Sequence, residues 1–402
     1  MTACLFCWKD REDMADRPTE SSLGWIERLI AHRSVSSDSN MTLIDEVSEH
    51  FTGLGLDVCL TTNVAGTKAN LFATLPGRSG CHKDGLILSG HTDVVPVDGQ
   101  DWSSDPFAMD IRQDRLYGRG ACDMKGFLGV AIALAETFAA RPPSRPVHYA
   151  LSYDEELGCL GAPSMISDLV ARGYRPRACI VGEPTDMMPV VSHKASRVFE
   201  CHVQGKACHS ADPDHGVNAI HYAARLIMFL QKIAENMRSE EKQDLAFDPP
   251  FSTLVVGTIQ GGVATNTVPE SCVFTFAFRT LPTHDDEALE TAIRTYISET
   301  ILPDMRREDR NADVVLHRRA HVPAMRTLRC DALIPIVSSL GKMHGGCVSY
   351  GTEAGLFQKA GIETLVCGPG SILHAHKADE FVTLEQLGRC ETWLRGLVSS
   401  DT

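Results

Sequence analysis

The sequence predicts an α/β protein with a mixed, mostly parallel sheet flanked by helices, into which an α+β domain of ferredoxin-like order is inserted. Three observations carry this prediction. Short apolar runs alternate with amphipathic helical stretches towards both ends of the chain, and the order of elements changes in the middle. Residues that can bind metal ions follow the apolar runs. Strands that alternate with helices favour right-handed crossovers and parallel pairing.

The main domain is predicted to begin after a flexible tail of residues 1–22, which is charged and aperiodic. Apolar residues repeat at helical spacing after Leu23 and again over residues 41–54. Further helices are predicted over residues 127–138 and 163–171. The runs that read as buried strands are LILSG (86–90), VHYALSY (147–153), ACIVG (178–182) and TLVCG (364–368).

The middle of the chain follows the order strand, helix, strand, strand, helix, strand. The helices are predicted over residues 219–236 and 288–301, and the strands over 198–205, 252–259, 272–279 and 314–319. This is the order of the split βαβ units in a ferredoxin-like domain. We therefore predict a main domain of residues 23–194 and 322–402 and an inserted domain of residues 195–321.

The composition argues against several classes of protein. The 402 residues carry a formal net charge of −14 without a dense run of Lys or Arg, so nucleic-acid binding is not expected. No apolar run approaches the ~20 residues of a membrane span, and the first apolar stretch is too short for a signal peptide. We expect a cytoplasmic protein without a membrane partner. Its 14 cysteines are expected to be free thiols, with Cys4 and Cys7 as a lone C-x-x-C pair.

Five residues of metal-binding type lie at the ends of predicted strands or at the start of a helix. They are His91, Glu156 and Glu183 after three strands, His376 beyond the turn after a fourth, and Asp123 opening a helix. Ligands of open α/β sheets bind beyond the carboxyl ends of the strands, so one sheet would gather these residues at one edge. Imidazole and carboxylate donors suit zinc, and also cobalt or manganese. Acidic residues also occupy such positions merely because they face water, but five together favour a metal site.

Six segments resemble the M20-type metallopeptidases, and three more resemble the acetylornithine deacetylases among them. The six are SGHTDVVPVDG (89–99), YGRGACDMKG (117–126), SYDEELG (152–158), VGEPT (181–185), GKACHSADPDHGVNAI (205–220) and GPGSILHAHKADEF (368–381). The three are SHKASR (192–197), FAFRTLP (276–282) and GTEAGLFQKAGI (351–362). The resemblance covers nearly the whole chain from about residue 22.

This resemblance implies a zinc-dependent exopeptidase-like fold in which the main domain is catalytic and binds two divalent metal ions. Zn²⁺ is the first choice, with Co²⁺ as the alternative. His91 and Glu183 would hold one ion, Glu156 and His376 the other, and Asp123 would bridge them.

The resemblance also implies roles for two more residues of the main domain. Asp93 would orient His91 through the remaining ring nitrogen. Glu155 would be the general base, which takes a proton from the attacking water and returns it to the leaving amine.

Residues of the inserted domain are expected to complete the site. His209 would stabilise the tetrahedral oxyanion in the neighbouring subunit, which implies a homodimer formed through this lid and dimerisation domain. Arg279 and Asn266 would bind the substrate, because a planar guanidinium suits a bidentate carboxylate contact. Lys194 and Thr352 are further candidates for substrate binding.

Three residues beside the predicted site have no assigned chemistry. Phe127 follows Gly126 where relatives have a second glycine after Asp-Met-Lys, so its ring either narrows the pocket or packs inward. Cys122 and Cys208 flank predicted site residues and are interpreted as packing residues.

The function implied is hydrolysis of an N-acyl amino acid, with N2-acetyl-L-ornithine as first choice and arginine biosynthesis as the pathway. Related activities stay open: an aminoacylase, a succinyl-diaminopimelate desuccinylase, or a dipeptidase or carboxypeptidase. A non-catalytic binding relative should have lost a ligand or the base, whereas this chain has them all. A serine hydrolase is disfavoured because Ser196 and Ser210 lack a G-x-S-x-G elbow.

Overall fold

The computed structural model describes residues 17–36, 38–327, 333–340 and 346–399. Within these ranges the chain forms two compact units. One holds the described parts of Met1–Ser192, Thr327–Gly346 and Thr352–Thr402, and the other holds His193–Arg326 and Cys347–Gly351. The predicted insert of residues 195–321 lies inside the second unit, which also takes in the separate segment Cys347–Gly351.

The first unit opens with helices α1 (Glu20–Ala31) and α2 (Met41–Gly53). Thr19 caps α1, because its side chain accepts a hydrogen bond from the N–H of Ser22. The helix therefore begins inside the tail predicted for residues 1–22, and that prediction is too long by three residues. Residues 1–16, with Cys4 and Cys7, lie outside the described residues.

The remaining elements follow in chain order. The first unit continues with β1 (Asp57–Thr62), β2 (Ala69–Leu75), β3 (Leu86–His91), β4 (Asp110–Arg112), β5 (Arg115–Tyr117), α3 (Lys125–Ala140), β6 (Val147–Ser152), α4 (Ala162–Ala171), β7 (Ala178–Pro184) and β8 (Val190–His193). Then come β9 (Ser196–Gln204), α5 (Ala219–Ser239), β10 (Thr253–Gly261), β11 (Ser271–Arg279), α6 (Asp286–Tyr296), α7 (Leu302–Glu308), β12 (Asp313–Val322) and β13 (Met325–Arg326). The last are α8 (Leu333–Ser339), β14 (Gly346–Val348), α9 (Ala354–Lys359), β15 (Thr364–Gly368), β16 (Phe381–Thr383) and α10 (Leu384–Ser399).

The large sheet of the first unit has the strand order β1-β2-β6-β3-β7-β15-β8. Its central strands β6, β3, β7 and β15 are parallel, and antiparallel strands flank them. The central strands are buried from end to end because they are apolar on both faces. The carboxyl ends of β3, β6 and β7 therefore meet at one edge of the sheet.

The second unit is a four-stranded antiparallel sheet of order β10-β11-β9-β12. Along β9 and β11 every second residue is buried, and the phenylalanines Phe199, Phe274, Phe276 and Phe278 point into one core with the buried side of α5. The mixed, mostly parallel sheet and the separate ferredoxin-like unit confirm the predicted fold class. Among the described helices, none is both long and apolar enough to cross a membrane.

Candidate metal centre

Two neighbouring strands bring the first predicted ligands together. His91 is the last residue of β3 and pairs in register with Ser152, the last residue of β6. The turn that carries Glu155 and Glu156 therefore starts beside His91. Glu183 lies near the end of β7, the strand on the other side of β3.

Asp123 lies between the two predicted histidines. Its Oδ1 is 2.9 Å from Nε2 of His91, and its Oδ2 is 3.2 Å from Nε2 of His376. The sequence predicted that Asp123 opens a helix, but α3 begins at Lys125 and Asp123 occupies the preceding turn. Neither oxygen of the carboxylate caps the helix, and each faces an imidazole nitrogen.

The other two carboxylates complete a group around each histidine. Glu183 Oε1 lies 3.8 Å from His91 Nε2, and Glu156 Oε1 lies 3.0 Å from His376 Nε2. Ligand atoms of His91, Asp123 and Glu156 lie within 4.8 Å of one another, as do those of His91, Glu155 and Glu183. The structure therefore brings all five predicted ligands and the predicted base to one place.

The concentration of buried carboxylates in this cluster favours bound positive charge. Burial and the charge of Asp123 raise the pKa of Glu156 and Glu183, and burial with the charges of Glu156 and Asp123 raises the pKa of Glu155. Hydrogen bonds with Asp123 and Glu156 raise the pKa of His376 to about 10. No Lys or Arg of the described residues pairs with these carboxylates. A set of imidazole nitrogens and surplus carboxylate oxygens is a fitting donor set for divalent ions.

Asp93 contacts the remaining ring nitrogen of His91, as the predicted orienting role requires, but does so through its backbone oxygen. Nδ1 of His91 donates to the backbone oxygen of Asp93 at 2.8 Å, while the Asp93 carboxylate is 3.6 Å away. That carboxylate instead accepts hydrogen bonds from the backbone N–H groups of Glu155 and Glu156, at 3.1 and 3.3 Å, and from the Ser36 hydroxyl. Asp93 therefore aligns the turn that carries the base and one ligand.

Sequence reasoning missed the ion pair that holds Asp123. Glu380 Oε1 accepts hydrogen bonds from the backbone N–H groups of Cys122 and Asp123, at 2.9 and 3.0 Å. Its other oxygen accepts from the buried guanidinium of Arg119 at 2.6 Å. Arg119 lies in the segment 117–126 and Glu380 in the segment 368–381, both of which resemble the M20-type metallopeptidases. Only the fold shows that the two residues meet beneath the cluster.

Phe127 packs inward. It is fully buried in the core of the first unit, and its ring lies against the backbone of Gly182, where a side chain would clash with the ring. Cys122 is also buried, and its thiol donates to the backbone oxygen of Ser371. In the second unit the Cys208 thiol donates to the backbone oxygen of Asp212.

The second unit brings two of its predicted residues together. His209 forms a β-bridge with Thr267, and the N–H of Ser210 donates to the backbone oxygen of Asn266 at 3.0 Å. His209 is exposed, and Arg279 is exposed at the end of β11. Within the described part of the chain the Arg279 guanidinium forms no ion pair.

The two weaker candidates have partners of their own. The ammonium group of Lys194 donates to the backbone oxygens of Pro249 and Phe251, both at 2.7 Å. The hydroxyl of buried Thr352 accepts a hydrogen bond from the N–H of Ala354 at 3.2 Å. A role in substrate binding for either residue stays a prediction.

A separate group of metal-binding residue types in the second unit is neutralised by arginine. Asp286 Oδ2 lies 3.0 Å from Nε of the buried Arg197, and Glu287 Oε1 lies 2.5 Å from its Nη2. His321 Nε2 is 3.3 Å from the same oxygen of Asp286. Because the guanidinium already compensates these carboxylates, this group is a natural control for the metal centre.

The similarity to known proteins covers nearly the whole chain. The family described as Peptidase family M20/M25/M40 matches residues 87–400. An acetylornithine deacetylase from Myxococcus xanthus is 34% identical over 380 residues, which cover 93% of this chain and 96% of that protein.

Two solved structures share the fold. The M20 family metallo-carboxypeptidase Sso-CP2 from Sulfolobus solfataricus has a TM-score of 0.73 at 17% identity, over 94% of this chain and 99% of that one. The YXEP protein from Bacillus subtilis, described as a dinuclear metal binding peptidase from the M20 family, has a TM-score of 0.63 at 16% identity, over 94% and 96%.

Proposed function

Because the chain belongs to peptidase family M20/M25/M40 and is a metal-dependent hydrolase of amide bonds, we propose that it deacylates an N-acyl amino acid, with N2-acetyl-L-ornithine as the substrate. The cluster of two histidines and buried carboxylates at one edge of the parallel sheet carries the proposed chemistry. The extent of the likeness to the Myxococcus xanthus acetylornithine deacetylase supports the choice of substrate. The products would be L-ornithine and acetate.

We propose that two divalent ions bind at the cluster. His91 and Glu183 would hold one ion, His376 and Glu156 the other, and Asp123 would contact both. Zn²⁺ suits the nitrogen and oxygen donors best, with Co²⁺ as the alternative. When bound, such ions polarise a carbonyl oxygen and lower the pKa of water.

The residues of the chain would supply proton transfer and orientation. Glu155 would accept a proton from the water that attacks the acyl carbon, and would deliver it to the leaving nitrogen as the C–N bond breaks. His209 would donate a hydrogen bond to the tetrahedral oxyanion. Arg279 and Asn266 would bind the carboxylate end of the substrate, since the guanidinium is unpaired among the described residues.

A substrate panel tests the proposed activity. We expect N2-acetyl-L-ornithine to be hydrolysed with a kcat/KM at least about tenfold above other acetylated amino acids, N-succinyl-diaminopimelate and dipeptides, because binding the polar side chain discriminates between substrates. The panel is assayed with Zn²⁺ and Co²⁺ in parallel. Cleavage of dipeptides without turnover of any acyl amino acid would reject the deacylase, and failure to bind metal at all would favour a binding protein.

A homodimer through the inserted unit is proposed from its exposed edge strand. β10 is the outer strand of its sheet, and apolar side chains there and just beyond it are exposed, with Val255 at 64%, Ile259 at 55% and Val263 at 94%. Such an edge is a template for pairing with a second copy. The test is light scattering. We expect the wild type to be a dimer and the Ile259→Lys variant to be a monomer.

Val64→Lys is the matched control, because Val64 is a fully exposed residue of the first unit and its replacement should leave the dimer intact. A wild-type monomer with full activity would reject both the dimer and the action of His209 in a neighbouring subunit.

A further inference from the structure

The thiol of Cys159 contacts the proposed general base. Its Sγ lies 3.2 Å from Oε1 of Glu155. Within the described residues, no other group donates a hydrogen bond to that carboxylate. Cys159 is 2% exposed, so bulk water does not compete for the thiol. Burial, together with the charge of Glu155, raises the pKa of the thiol well above its ordinary value. The sulfur therefore carries its proton at neutral pH and acts towards the carboxylate as a donor.

The turn that holds Cys159 does not need the thiol to close. The backbone N–H groups of Gly158 and Cys159 both donate to the backbone oxygen of Glu155, at 2.7 and 2.8 Å. The N–H of Leu160 donates to the backbone oxygen of Asp154 at 3.0 Å. Because these backbone hydrogen bonds already close the turn, the S–H group is available to orient the side chain of Glu155.

The backbone at Cys159 would suit glycine better than cysteine. Its φ is 57°, in the left-handed region that β-carbons disfavour, and the preceding Gly158 has φ of 100°. A residue with a side chain in this conformation costs roughly 1 kcal/mol relative to the right-handed form. Cysteine therefore occupies a position where the backbone conformation alone would favour glycine.

We propose that Cys159 is a positioning residue, whose S–H group holds Oε1 of Glu155 and leaves Oε2 to accept the proton of the attacking water. This inference rests on the proposed role of Glu155 as general base. A carboxylate held by one oxygen presents the other in a fixed direction, and orientation of a reacting group contributes to the rate. The effect acts on the chemical step and not on substrate or metal binding.

The experiment compares three variants at Cys159 by kcat, KM, metal content and melting temperature. We expect Cys159→Ala and Cys159→Gly to lower kcat about five- to tenfold, with KM and metal content unchanged, because both remove a weak hydrogen bond. Cys159→Gly should melt no lower than Cys159→Ala, since it relieves the backbone. Cys159→Ser, which keeps a donor, should recover most of the lost kcat.

Cys390→Ala is the matched control, because it removes another fully buried thiol of the same unit and should change stability without changing kcat. In the Glu155→Asp background, where the shortened carboxylate is withdrawn from the thiol, Cys159→Ala should cause no further loss. Wild-type kcat in Cys159→Ala and Cys159→Gly, or losses that multiply when Cys159→Ala is combined with Glu155→Asp, would overturn the positioning role.

Failure of the proposed function gives a different result. If Glu155→Gln keeps its turnover, Glu155 is not the base and the inference about Cys159 falls with it. If Glu155→Gln is inactive while Cys159→Ala matches the wild type, the base stands and only the positioning role is rejected.

Discussion

Glu155→Gln is expected to lower kcat by about 100- to 10,000-fold while both metal ions stay bound. Glutamine keeps the size of the side chain and can still accept the hydrogen bond from Cys159. Its amide cannot take a proton from water at neutral pH, so the loss falls on the chemical step. The measurement is kcat on the best substrate of the panel, together with elemental analysis of the same preparation.

Glu156→Gln is the matched control for this prediction. Glu156 is the adjacent residue, but its Oε1 lies 3.0 Å from His376 Nε2 and it is a proposed metal ligand. We expect Glu156→Gln to lower activity together with metal content, whereas Glu155→Gln lowers activity alone. Turnover close to that of the wild type in Glu155→Gln would remove Glu155 from the base role. Loss of metal in that variant would make Glu155 a ligand.

Asp123→Asn is expected to weaken metal binding at both positions, by at least about 100-fold, and to abolish turnover. The reason is the position of its two oxygens, 2.9 Å from His91 Nε2 and 3.2 Å from His376 Nε2. An amide offers one oxygen and no charge, so the ligand that we propose the two ions would share would be lost to one of them and weakened for the other. Calorimetric titration with Zn²⁺ and elemental analysis after dialysis measure the loss.

The same variant should lose the stabilisation that metal gives the folded protein. A ligand present at 1,000 times its dissociation constant stabilises the native state by about 4 kcal/mol, so Zn²⁺ should raise the melting temperature of the wild type clearly. Asp286→Asn is the control, because Arg197 already compensates that carboxylate and no metal is expected there. Two tightly bound ions in Asp123→Asn would contradict the shared-ligand role.

Much of the fold was predictable because it depends on local patterns. The apolar runs that end at His91 and just before Glu183 are buried strands, since only a central parallel strand is covered on both faces. The order of elements in the middle of the chain predicted a ferredoxin-like sheet, because each of its strands and helices also has a local pattern of apolar residues. The segment Cys347–Gly351 carries no such signal, and its place with the second unit was not predictable.

The residues of the candidate metal centre could be named from the sequence, because four of the five follow apolar runs and parallel strands bring their carboxyl ends to one edge. How those side chains meet depends on the folded arrangement of the chain. It placed Asp123 between two imidazoles, turned the Asp93 carboxylate to the turn of Glu155, and buried Arg119 against Glu380. The periodicity of apolar residues specifies which face of an element is buried. Hydrogen bonds depend on distances and directions between residues far apart in the chain, and these exist only once the strands are packed.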